Sequence, residues 1–98
     1  MVIFLASGSI NKTISMKNIL IEEVGDITSV YNYLEVFYGD NINPIIDISI
    51  TEDKQLLFRI YSSPTDINLL VDEFEYILNR AKEFLPKAIK NKEDLEKY

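Results

Sequence analysis

The sequence predicts an α+β fold: a four-stranded, mainly antiparallel sheet with two helices on one face, in the order β-β-α-β-β-α. Three observations lead there. Apolar and polar residues alternate twice in IIDISITEDKQLLFRIY, residues 45–61. After Ser63 the apolar residues recur at spacings of three and four, and the same helical spacing occurs 40 residues earlier.

Taken in chain order, Val2–Ala6 (VIFLA) reads as the first strand, with Ser7-Gly8-Ser9 as a turn. At five residues and with no basic residue ahead of it, this run is shorter than the ~7–15-residue apolar core of a secretion signal. Thr13–Glu23 (TISMKNILIEE) reads as the second strand. Asp26 is then placed to cap a helix that Gly39 would end, with Ile27, Val30, Tyr31, Leu34, Phe37 and Tyr38 on one stripe. On that reading Tyr31, Phe37 and Tyr38 belong to the core, Tyr33 sits at the edge of the stripe and Val36 lies opposite it. The Val, Tyr and Phe content favours a rival, a strand with Leu34, Val36 and Tyr38 on one face. The helix is preferred because a shift of 40 residues lays DITSVYNYLEVFY on DINLLVDEFEYIL with all six stripe positions coinciding.

The next two strands form a hairpin: Ile46, Ile48 and Ile50 face one way, Leu56, Phe58 and Ile60 do the same, and Glu52-Asp53-Lys54 breaks the run. The last helix should open with Ser63 as N-cap, Pro64 at its first position and Asp66 in its first turn. Its stripe is Ile67, Leu70, Val71, Phe74, Ile77, Leu78 and Ala81, and Pro86 should kink or end it. Residues 1–89 are expected to form one domain, with 90–98 as a frayed, charged tail.

Composition narrows the chemistry. The 98 residues, 47% of them hydrophobic, suit a single core. The absence of cysteine excludes disulfides and thiol nucleophiles, and the absence of histidine excludes Ser-His-Asp triads and two-His zinc sites. Neither GxGxxG nor GxxxxGK occurs. Asp72 and Glu75 stand at i and i+3, but on the outer face of the predicted helix. The loop GDNIN, residues 39–43, has Ile45 and Thr51 where a calcium loop beginning at Asp40 needs Gly and Glu. No catalytic, cofactor-binding or metal-binding residue is predicted, no cofactor is expected, and the chain is read as not an enzyme.

Charge points toward a partner. The net charge is −6, and residues 1–79 hold twelve acids against four bases. An acidic body repels phosphate and steers basic proteins toward it, so direct nucleic-acid binding is not expected. No apolar run approaches the ~20 residues of a membrane span, and a cytoplasmic protein is expected. If Leu56, Phe58 and Ile60 point at the helices, then Asp47, Ser49, Leu57, Arg59 and Tyr61 form the other face, which an antiparallel sheet can leave wet. Tyr33, Leu57, Arg59 and Tyr61 are the candidate contact centre, and Glu22, Glu23, Asp40 and Asp47 the candidate charges.

Residues 37–47, FYGDNINPIID, carry a local resemblance: Tyr38, Gly39 and Asn41, with acid for acid at Asp40, resemble the Tyr-Tyr-Gly-Glu-Asn-Leu-Asp segment of the barstar family of ribonuclease inhibitors. In that family the segment leads into a helix; here Pro44 and the Ile-rich alternation lead into a strand. The sequence-based expectation is a small acidic protein-binding domain, an inhibitor or immunity-type protein that occludes a basic nucleic-acid-processing toxin or enzyme. The alternative is a self-associating structural or assembly domain, a homodimer joined through the open sheet face or an edge strand.

Overall fold

The structure, a computed structural model, describes residues 17–25, 27–63 and 66–96. The expected strand Val2–Ala6, the turn at Gly8, the Asp26 cap and Pro64 lie outside the described residues. Four strands, β1 (Ile19–Val24), β2 (Tyr33–Tyr38), β3 (Ile46–Ile50) and β4 (Leu56–Ile60), precede one helix, α1 (Val71–Glu96). They form a single antiparallel meander in sequential order. Among the described residues the order is therefore β-β-β-β-α, with one helix on the sheet, and the two-helix β-β-α-β-β-α arrangement is not formed.

The correction turns on residues 33–38. As a strand this segment pairs with β1 on one side and β3 on the other, so its backbone groups are satisfied by two neighbours. Its alternation buries Leu34 and Val36 completely and half-buries Tyr38. The helical alternative relied on Ile27 and Val30, which are instead exposed in the β1–β2 connection. β propensity and central pairing prevail over the three-and-four spacing.

Local chemistry fixes the turns. Gly39 closes β2 with a left-handed φ of 61°, which glycine adopts without steric cost, and its N–H reaches Asn18 O at 2.9 Å. Between β3 and β4 the chain reverses at Glu52-Asp53-Lys54, as expected. Lys54 takes φ 66°, and a 2.8 Å bond from Thr51 N–H to Gln55 O closes the loop. Val36 is paired with Ile46, yet its carbonyl also accepts Ile45 N–H at 2.8 Å. Two residues thus face one, as in a β-bulge, and both isoleucines are buried.

The helix begins later than the sequence suggests. Residues 66–70 are irregular, so Ser63 is not the cap. Leu70 precedes the first turn, and Glu73 Oε1 accepts its N–H at 2.8 Å, the reaching-back half of a capping box. The same oxygen accepts the Tyr38 hydroxyl at 3.4 Å, which ties the helix start to the end of β2. Ile77, Ala81, Phe84 and Ala88 supply the buried stripe, and the two alanines leave room for close approach to the sheet. Leu70, Val71 and Phe74, expected in the core, are exposed. The helix also runs through Pro86 to Glu96, so residues 90–96 continue it. Lys54 Nζ lies 4.0 Å from Glu93 Oε2, and Lys92 sits 5.9 Å from the Tyr31 ring centre.

Among the described residues the core is one cluster: Ile19, Leu34, Val36, Ile45, Ile46 and Ile48 of the sheet layer against Ile77, Ala81, Phe84 and Ala88 of the helix. One face of the sheet is spent on this contact.

Candidate functional site on the open sheet face

Strand alternation assigns Leu20, Glu22 and Val24 of β1, Tyr33, Glu35 and Phe37 of β2, Asp47 and Ser49 of β3, and Leu57 and Arg59 of β4 to the face away from α1. Tyr61, just beyond β4, continues this alternation. Among the described residues no element packs on this face. Leu20 and Leu57 are about half exposed, and Glu22 and Arg59 are exposed.

Register aligns these side chains in rows. Glu22 stands opposite Glu35, Glu35 opposite Asp47, and Asp47 opposite Arg59. Three carboxylates and one guanidinium thus cross the whole sheet in a line. Leu20 pairs with Phe37 on one side of the line; Val24 with Tyr33 and Ser49 with Leu57 lie on the other. Like charges directly opposite one another on neighbouring strands repel, at about 0.2–1 kcal/mol per pair. Only the Asp47 end of the line is compensated: Arg59 Nη1 lies 3.6 Å from Asp47 Oδ2, with the guanidinium mostly in solvent and the carboxylate mostly covered. Such a half-solvated pair is weak. Glu22 and Glu35 have no ion-pair partner among the described residues.

Asp47 is the anchor of the arrangement. Its Oδ2 accepts the Tyr61 hydroxyl, while its Oδ1 is buried with no hydrogen-bond partner among the described residues. The hydrogen bond to Asp47, then burial, then the carboxylate charge push the Tyr61 phenol above its ordinary value near 10, with Arg59 opposing. At the core-facing edge of the sheet, burial first, then the charge and hydrogen bond of Glu73, raise Tyr38 in the same direction. A phenol whose folded pKa is raised stabilises the fold fully below the unfolded value near 10, and that contribution is lost as pH climbs through the folded value. Absorbance titration of phenolate formation should therefore show a component above the ordinary range, and Tyr61→Phe should remove part of it. An unchanged high-pH component in Tyr61→Phe would show that the Asp47 bond does not form.

Of the residues named from sequence, Tyr33, Glu22, Asp47, Leu57, Arg59 and Tyr61 are brought together on this face. Glu23 is not: it alternates to the helix side, where Asn32 Nδ2–H donates to its Oε2 at 2.8 Å and it borders a cleft with Arg80 and Lys87. Asp40 is exposed in the turn after β2, at the end of the sheet. Sequence reasoning missed Leu20, Val24, Glu35 and Phe37. The alternation in YLEVFY carries the signal for Glu35 and Phe37, and the helical reading of that segment hid it.

A cavity of about 690 Å³ is an open groove between the β2–β3 connection and the chain after β4; Tyr38, Tyr61 and Asp66 are the titratable groups among its described lining residues. Among the described residues, no three His, Cys, Asp or Glu side chains are grouped to hold a metal ion. No described helix is long and apolar enough to cross a membrane. No family model, curated protein or solved structure matches the chain.

Proposed function

We propose that the protein binds a basic protein through its open sheet face and occludes that partner's anion-binding surface, as an inhibitor or immunity-type protein of a nucleic-acid-processing toxin or enzyme does. The observation that supports this reading is the Glu22–Glu35–Asp47 line between apolar and aromatic rows. In the free protein the line is a cost, because carboxylates oppose carboxylates; a row of Lys or Arg side chains on a partner turns it into a gain. The flanking Leu20, Phe37, Tyr33 and Leu57 provide the apolar contact that charge alone does not, around a centre rich in the residue types that dominate interfaces. The excess of acids over bases in residues 1–79 adds long-range attraction for such a partner.

The test is Glu35→Lys, which converts two like-charge pairs into two opposite-charge pairs. The free variant should be as stable as the parent or more so, by about 0.2–1 kcal/mol per pair, read from urea unfolding. Capture of a basic protein from source-cell lysate at low salt should be lost in the same variant, and the parent's capture should weaken at high salt. The captured protein's cleavage of nucleic acid should fall when the parent chain is added back and not when Glu35→Lys is. Capture that is indifferent to both salt and the substitution would refute the assigned face.

A further inference from the structure

We infer that the outer edge of β4 pairs antiparallel with β4 of a second copy of this chain, about a two-fold axis at Phe58. The hydrogen-bond pattern shows which groups the edge offers. Thr51 N–H bonds Gln55 O at one end of the hairpin, and Tyr61 N–H bonds Ile45 O at the other. Antiparallel bonding alternates along a ladder, so Leu57 and Arg59 bond to β3 between these ends. The N–H and C=O groups of Leu56, Phe58 and Ile60 therefore point outward, and among the described residues nothing pairs with them. An axis at Phe58 sets Phe58 on its own copy and Leu56 on Ile60 of the other, which engages all three outward positions of both strands.

Charge selects this edge. The strand Leu56-Leu57-Phe58-Arg59-Ile60 contains no acid, although the chain carries a net −6. Edge-to-edge pairing of β1 with its own copy would bring Glu22 and Glu23 of two molecules together, the acidic protection that edge strands use against association. β4 lacks that protection.

Apolar exposure is concentrated on the same side. Ile60, on the helix-facing side of β4, is 72% exposed. Glu23 of β1 shares a cleft with Arg80 and Lys87, so that flank of α1 faces β1. At about 100° per residue the opposite flank, Val71, Phe74 and Leu78, faces β4. Lys54 of the β3–β4 turn meets Glu93 on this flank. Val71 and Phe74 are 73% and 46% exposed there. Pairing two copies at β4 sets the Ile60, Val71 and Phe74 groups of both against the joined helix-side surface, while the open face stays available. The interface is isologous and closes at two copies, so it yields a dimer in which the described strands of both copies join in one eight-stranded sheet, and no fibre.

The test combines mass with amide exchange. Light scattering across a concentration series should show the mass rising toward twice the 11.4 kDa of one chain. Hydrogen exchange at the amides of Leu56, Phe58 and Ile60 should slow over the same range. Ile60→Lys should hold the protein at the mass of one chain at every concentration with an unchanged circular dichroism spectrum, since the side chain it replaces is exposed. Glu35→Lys alters only the open face and should dimerise as the parent does. The inference is overturned by a constant monomer mass, by protection of these amides in the monomer, by an Ile60→Lys variant that still dimerises, or by loss of the dimer in Glu35→Lys.

Discussion

Ile48→Ala is expected to destabilise the fold by about 2–5 kcal/mol, the range for truncating a buried isoleucine. Ile48 is fully buried in the third strand, flanked by Leu34 on β2 and Phe58 on β4, with the helix packed over it. The loss has two parts: the transfer free energy of the removed methyl and methylene groups, and the cavity they leave. Collapse into that cavity is limited because hydrogen-bonded strands hold both sides at fixed spacing. For a domain whose whole stability falls in the usual range of about 5–15 kcal/mol, this is a large fraction. Ile60→Ala is the matched control: it removes the same atoms from the same face at a 72% exposed site, and should cost within about 0.5 kcal/mol in the monomer. Urea midpoints of the two variants at low protein concentration decide the matter; equal costs would mean that Ile48 is not buried between the sheet and α1.

Pro86→Ala is expected to stabilise by about 1–3 kcal/mol, against the common direction of single substitutions. α1 continues through Pro86 although proline supplies no N–H for the carbonyl of Lys82 and its ring crowds that turn. The helix tolerates this because Phe84 and Ala88, on either side, are both fixed in the core. Pro86 lies about 180° around the helix from Ile77, on the solvent face, where water can satisfy the carbonyl it leaves unpaired. Alanine restores the bond and removes the crowding, offset in part by greater freedom of the unfolded chain. For a domain of this size each kcal/mol corresponds to about 4–8 °C in the thermal midpoint. A lower midpoint in Pro86→Ala would mean that the proline is needed for a bend on which the Phe84 and Ala88 contacts depend.

These two sites also show what the sequence discloses and what it hides. The β3–β4 hairpin is legible because Ile46, Ile48 and Ile50, then Leu56, Phe58 and Ile60, alternate without competition from any other period, and the polar break between them is the turn. Residues 33–38 satisfy both periods: Leu34 and Val36 serve a strand, Leu34 with Phe37 and Tyr38 serve a helix, and the choice is made by β1 and β3, which lie elsewhere in the sequence. The 40-residue pattern match therefore lays strand β2 on the first turns of α1, and equal spacing of apolar residues there carries no equality of structure. Pro86 is the converse case, a local breaker overridden by tertiary anchoring. The candidate face was legible as far as the hairpin reached, through Asp47, Leu57, Arg59 and Tyr61. The acidic line became visible only with the register, because Glu22, Glu35 and Asp47 are far apart in sequence and adjacent only when the strands are aligned.

The sequential order of the meander bears on how the molecule forms. Each strand pairs with the one made just before it, and the most distant partners in the β1–β2 ladder, Ile19 and Tyr38, are closed by a short excursion of chain. Loop closure of this kind costs little entropy, and folds built from neighbouring segments are fast. During synthesis each hairpin can zip as its second strand emerges, and α1 emerges after all four. Until it docks, Ile19, Leu34, Val36, Ile46 and Ile48 present a bare apolar sheet to solvent or to a chaperone. The interval between completion of β4 and arrival of Phe84 and Ala88 is the window in which a nascent chain is most exposed to misassociation.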